Sequence, residues 1–364
     1  MSKNRSDTPT NPLFLNETAW FEILLRCDEK TLNSANLACH MMSNICSIPK
    51  FWLAKMRYEG KTDKFPPHLW MQFAHNHGHI PKEFVIRPYQ EQGSNGEAST
   101  STEPKEPEPL PCSFNFKRLY FGRGGYGTHP VHPMNQEITK EVLEQQYGCK
   151  FQDGGHGLSI EIPPVFCDYS EETEVVFATS FGWCSRYIEI DLEKWGIDGW
   201  VLDYVRPQIV VTELCNCRQD CGAEYELYVM LMMNGESFDS NIVLPRTGKF
   251  DKRWEQWTGG KEWTKAEVKI EEYPIGMRKI GIYTRGKDTQ FWAGHYGPKF
   301  TKPEISILLP NAISFHGECD FPDPDKKYRD PTRQNFHGYR PLNLRGPLGM
   351  MRRGRRGGFN PWGN

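Results

Sequence analysis

The 364-residue sequence contains no run of roughly 18 apolar residues, and its first stretch, MSKNRSDTPTNPLF, has no apolar core of secretory type. Neither insertion into a membrane nor export is expected, and the cytosol or nucleus is the expected compartment. A strong charge of either sign is also lacking. Against 46 acidic residues stand 44 basic ones, and the net charge of -2 argues against a surface that binds nucleic acid as a whole. The 11 cysteines are scattered and odd in number, which fits reduced thiols better than a disulfide framework. Apolar residues reach only 38%, below the roughly 45–50% usual in globular chains on a count that includes glycine. Internal repeats are absent.

Aromatic residues, by contrast, are plentiful: 11 Trp, 15 Tyr and 21 Phe. Together with the low apolar content they imply folded modules joined and followed by disordered stretches, and the length suits roughly two compact domains. Residues 1–10 are expected to be disordered, and residues 11–58 read as three helices. Asn16 caps the first, which carries Ala19, Trp20, Ile23 and Leu24. Asp28 caps the second, with a stripe running Leu32, Ala35, Ala38, Met42 and Ile45. The third, KFWLAKMRY, places Phe51, Trp52 and Lys55 on neighbouring turns. A helical linker, 59–87, leads to 88–111, whose Glu, Pro, Ser and Thr cannot offset the entropy of ordering.

From about 112 to 311 the pattern becomes alternation. RYIEIDL, QIVVTEL, EYELYVMLMM, KAEVKIEEY, RKIGIYTR and PEISILL each read as a short strand, and helical spans are scarce apart from NQEITKEVLEQQYG. The expected fold class is mainly β: an antiparallel β-sandwich behind an N-terminal α-helical module. After it, residues 312–364 are dominated by Pro, Gly and Arg and read as a disordered tail. Within the β region, QFWAGHYG sets Phe291 and Trp292 side by side. Neighbouring side chains of a strand point to opposite faces, so one core cannot bury both rings. On a loop they stand together at the surface, where two large rings need a reason to be.

Leu15, Glu17, Ile23-Leu24, Cys27-Asp28, Leu32, Ala38-Cys39, Ile45, Phe51-Trp52 and Lys55 resemble an F-box in spacing, with Asn16 at the usual Pro and Met42 near the usual Trp. FATSFGWCSRYIEIDL, RPQIVVTEL, RQDCGAEYELYV and GKDTQFWAGHYGPKFTKPEISI resemble the F-box-associated domain of the sugar-chain-recognising F-box proteins. The two modules stand in the order that family uses. The resemblance implies a jelly-roll-like antiparallel β-sandwich whose end loops hold the chitobiose core of N-linked glycans. Phe291 and Trp292 supply the stacking rings, Arg218, Gln219 and Asp220 the polar contacts, and Phe181 completes the pocket floor. Flat rings bury the C–H patches of sugars while polar neighbours bind hydroxyl and acetamide groups, which suits these residues. It also implies that the F-box docks on a Skp-family adaptor, and through it a cullin scaffold, by Leu15, Ile23, Leu24, Leu32, Phe51 and Trp52. No catalytic residue, cofactor or metal is implied: the assembly works by bringing a misfolded glycoprotein's lysines near a charged ubiquitin-conjugating enzyme.

The pattern departs from the glycan binders at one informative place. They carry Lys directly after the aromatic-Trp pair and Tyr before the Trp; here these are Ala293 and Phe291. Each change removes a polar handle worth on the order of 1 kcal/mol. A receptor for a non-glycosylated protein motif is the alternative reading. A sandwich hydrolase requires two facing carboxylates, for which Asp220 and Asp288 are the available pair, and a degenerate F-box that no longer docks is a further alternative. Cys215, Cys217 and Cys221 lack a usual zinc spacing and read as free loop thiols. His75, His77 and His79 read as solvated, RRGRRGGF as part of a soluble tail rather than an RNA contact, and Trp254, Trp257 and Trp263 as structural.

Overall fold

A computed structural model describes residues 15–84, 110–237 and 247–316. The expected disordered start, most of the linker over 88–111 and the tail beyond 316 lie outside the described residues.

The helical module has four helices where three were expected. In α1 (Glu17–Leu25), the Asn16 side chain accepts from the Ala19 amide at 2.8 Å, and Asp28 does the same for Thr31 at the start of α2 (Glu29–Ala38). The second expected helix breaks at Cys39, which is extended (φ -157°, ψ 158°), and resumes as α3 (His40–Ser47). At about 100° per residue, a continuous helix would set Leu32 and Ile45 on nearly opposite sides. The break turns both into the core, where each is buried. In α4 (Pro49–Tyr58), Lys55 is buried and donates to the Leu25 and Cys27 carbonyls at 2.7 and 2.6 Å, capping the end of α1 while pairing with Glu59 at 2.7 Å.

This packing corrects one expectation. Leu24, Leu32, Phe51 and Trp52, expected to meet an adaptor, are all buried inside the chain, whereas Leu15 and Ile23 are exposed. A helical unit this small needs its periodic apolar positions for its own core. Trp52 also joins the module to the sandwich side of the chain: its ring lies 5.1 Å from Tyr120 and 5.3 Å from Phe121, both on α6 (Phe116–Phe121), with α5 (His68–His77) between the two helices in sequence. Trp70 on α5 donates to the Pro310 carbonyl at 2.8 Å and meets the Phe315 ring at 5.9 Å. Residues 312–316, expected to begin a loose tail, therefore run back against α5.

The remaining elements in chain order are β1 (Gly127–Pro130), α7 (Lys140–Tyr147), β2 (Lys150–Gln152), β3 (Ser159–Glu161), β4 (Val176–Ala178), β5 (Cys184–Asp191), α8 (Leu192–Trp195), β6 (Gln208–Asn216), β7 (Ala223–Met233), β8 (Thr247–Trp254), β9 (Thr264–Ile270), β10 (Met277–Asp288) and β11 (Lys299–Leu308). They make two antiparallel sheets. One has the order β3-β4-β11-β6-β9 with β1 also on β11; the other is β2-β5-β10-β7-β8. From β4 to β7 and from β8 to β11 successive strands alternate between sheets, the connectivity of a jelly roll. The edge strand β8, unforeseen from alternation, points Lys249 and Arg253 at Glu226 and Glu224 instead of burying a full apolar face.

Between the sheets, Ile188, Ile190, Leu227, Val229, Ile280, Ile282, Ile209, Val211, Ile305 and Ile307 form an apolar core. A charged pair crosses it. Arg186 on β5 and Glu213 on β6 are fully buried with Nη2 and Oε1 2.8 Å apart. Tyr225 and Thr284 each donate to the other Glu213 oxygen at 2.8 Å, and Arg186 also donates to Thr284 at 3.0 Å and to His132 Nε2 at 3.1 Å. Burial, and then the neighbouring guanidinium, hold the His132 pKa down to about 3, so it stays neutral and accepts the bond. Among the described residues no helix is long and apolar enough to cross a membrane.

Candidate functional site

The turn between β10 and β11 is built around Asp288. This carboxylate is fully buried and accepts from the Phe291 amide at 2.5 Å. Burial raises its pKa, against the pull of the backbone amides of Phe291, Gln290 and Trp292. The turn drives Phe291 to φ 59°, a left-handed conformation costly for a bulky residue, and leaves the residue 71% exposed. Trp292 follows at 39% exposure and rests edge-on against Tyr296, with centroids 5.4 Å apart. The paired rings thus stand at the surface, as their place on a loop required.

Neighbouring loops brace this turn from every side. Ser180, between β4 and β5, donates to the Gly294 carbonyl at 2.7 Å and accepts from His156, on the β2–β3 loop, at 3.0 Å. The Gln290 side chain accepts from Gly222 at 2.9 Å and from Cys221 at 2.7 Å on the β6–β7 loop. Gln256, on the β8–β9 loop, donates to the Asp220 carbonyl at 3.0 Å. Five loops at one end of the sandwich are thereby knitted into a single surface.

The structure brings all six expected ligand contacts to this end. Phe181 is half-buried beside the His156 ring, 5.5 Å away, next to the Ser180 that holds Gly294. Gln219 is exposed. Arg218 has a different role from the one expected. Its guanidinium is largely buried between the Tyr296 ring (4.0 Å) and the Phe166 ring (4.7 Å), and it grips both oxygens of Asp220 at 2.9 and 2.8 Å. The bond to Arg218 lowers the Asp220 pKa, keeping it a carboxylate. Arg218 therefore positions Asp220, which is half-buried and able to accept from a ligand hydroxyl through its remaining lone pairs.

Asp220 and Asp288 do not make an exposed acid–base pair, since one is locked to Arg218 and the other is the buried post of a turn. Cys215, Cys217 and Cys221 are fully buried, and burial pushes the Cys221 thiol up to about 11 and Cys217 to about 12. His75, His77 and His79 lie exposed near the end of α5. Trp254 is buried and Trp263 donates to the Asp168 carbonyl at 2.8 Å, but Trp257 corrects the structural reading: it is 68% exposed. Phe166, which sequence reasoning passed over inside IPPVFCDY, is 63% exposed at the same end. Its only sequence signal is an aromatic residue in a proline-rich connection.

Residues 134–307 match the family model described as the F-box associated region. Mouse F-box only protein 6 is 34% identical over 158 residues, covering 43% of this chain and 52% of the relative. Human F-box only protein 27 is 32% identical over 138 residues (38% and 46%), and human F-box only protein 44 is 30% identical over 143 residues (39% and 53%). The chain thus spans about half the length of the curated relatives it matches. The matched region contains the loops that carry Phe166, Trp257 and the Phe291–Trp292 pair, together with Asp220.

Proposed function

We propose that this protein is the substrate-recognition subunit of a Skp–cullin–F-box ubiquitin ligase. In this reading its F-box associated domain binds N-glycosylated, misfolded proteins by the chitobiose core and directs them to ubiquitination and proteasomal degradation in the cytosol or nucleus. The observation that carries the reading is the exposed Phe291–Trp292 pair, fixed by a buried carboxylate beside an aligned Asp220 and an exposed Gln219. Rings of this kind stack on sugar C–H faces, and the carboxylate and amide take the hydroxyl and acetamide groups. The chain supplies no catalytic residue of its own; it supplies proximity. The helical module docks on the adaptor through Leu15, Ile23 and the strongly exposed Leu37, its buried apolar residues serving as the support beneath.

A second reading keeps the ligase and replaces the glycan with a protein surface. It is favoured by Ala293 and by Ile162 and Val165, exposed aliphatic residues on the loop that carries Phe166. Capture separates the two. Immobilised full-length protein is expected to retain a heat-denatured high-mannose glycoprotein and to lose at least about tenfold of that capture once an amidase has removed the N-glycans. Undiminished capture after glycan removal transfers the site to the protein reading.

A further inference from the structure

Five residues other than glycine have positive φ among the described residues: Phe166 (52°), Arg206 (51°), Trp257 (69°), Phe291 (59°) and Lys302 (51°). Three of them are aromatic, and these three are 63%, 68% and 71% exposed. A bulky side chain in the left-handed region is strained, and glycine or asparagine holds it more cheaply. Burial does not explain the choice of an aromatic residue at any of the three positions. Strain of this kind collects at ligand clamps. For Phe291 the ligand reading is already given; Phe166, one face of which covers Arg218, and Trp257 share its signature.

Their placement connects them to the same site. The Gln219 backbone lies between them, its amide donating to the Phe166 carbonyl at 3.0 Å and its carbonyl accepting from the Trp257 amide at 2.9 Å. From Trp292, three successive contacts lead to Phe166: to Tyr296 at 5.4 Å, on to Arg218 at 4.0 Å, and from Arg218 to Phe166 at 4.7 Å. The surface therefore presents two ring platforms, with the Gln219 backbone inside the second and the Arg218–Asp220 pair between the two. A ligand using both must be extended and must alternate apolar faces with hydrogen-bonding groups. An oligosaccharide has that character, because each pyranose offers a C–H face beside its hydroxyls.

We infer that Phe166 and Trp257 form a second sugar-stacking platform, which holds residues of the oligosaccharide beyond the disaccharide seated on Phe291 and Trp292. This rests on the glycan reading of the site. The second platform restores affinity that Ala293 and Phe291 forgo, and it makes the domain discriminate by chain length.

The test titrates the full-length protein and its variants with chitobiose and with a high-mannose oligosaccharide that carries chitobiose at its reducing end. Trp257→Gly is the main variant because glycine relaxes the φ of 69°, so its melting temperature should equal or exceed that of the parent. It is expected to weaken the long oligosaccharide roughly tenfold and to leave chitobiose unchanged, whereas Trp292→Ala abolishes both. If Trp257→Gly alters neither ligand while Trp292→Ala removes both, the second platform is refuted and the first stands. Equal weakening of both ligands by Trp257→Gly also refutes it, since the ring would then belong to the first platform. If the parent protein binds neither saccharide, the glycan reading and this inference fall together.

Discussion

Glu213→Ala is expected to lower the stability of the protein by about 3–5 kcal/mol, the cost of stranding a buried charge. Arg186 would be left between Phe177 and Phe300, 5.8 and 5.4 Å from its guanidinium carbon, with neutral His132 and the Thr284 hydroxyl as its remaining partners. Tyr225 would lose its acceptor in the same step. Glu213→Gln keeps an acceptor for Tyr225 and the volume of the side chain, so it should cost less than the alanine variant. Urea unfolding of the three proteins measures the difference. A change of less than about 0.5 kcal/mol for Glu213→Ala would mean that water enters the core and solvates Arg186, contrary to a dry network around the ion pair.

Trp52→Ala should have an effect of similar size, about 3–5 kcal/mol, because it empties the junction between the helical module and the sandwich. The indole packs against Phe51 as well as Tyr120 and Phe121, and its N–H donates to the Cys46 carbonyl at 2.7 Å. The loss should fall first on residues 15–58, which limited proteolysis would cleave while the sandwich persists. Adaptor binding would fail too, but through unfolding of the module. Ile23→Asp provides the contrast: at an exposed position it should abolish adaptor co-purification while leaving the unfolding midpoint nearly unchanged. If Trp52→Ala left stability intact and removed only the adaptor, Trp52 would be a contact residue after all and its role at the junction would be wrong.

The long strands were legible because their alternation is strong: β5, β6, β7, β9, β10 and β11 each overlap a segment that reads as alternating. The three- and four-residue strands β1 to β4 are too short to show a period, and β8 hides its period behind paired surface charges. The core ion pair left a trace that went unused. Arg186 is in phase with Ile188 and Ile190, and Glu213 with Ile209 and Val211, so each charge stands where the alternation calls for an apolar residue. At the site, motif resemblance located the ring pair and its polar neighbours. It did not separate Arg218 from Asp220 by role, since that depends on two rings closing over one guanidinium. In the helical module, spacing marked apolar residues without telling which face the chain itself would cover. Exposure is a property of the packed chain, and for Leu24, Leu32, Phe51 and Trp52 the packing went inward.

The central claim is that the loop end of the sandwich faces sugar, and calorimetric titration of the full-length protein with chitobiose tests it most directly. Saturable binding that disappears in Trp292→Ala, with the melting temperature of that variant unchanged, is the predicted result. Absence of binding at millimolar chitobiose by a folded protein, or equal binding by Trp292→Ala, would contradict it.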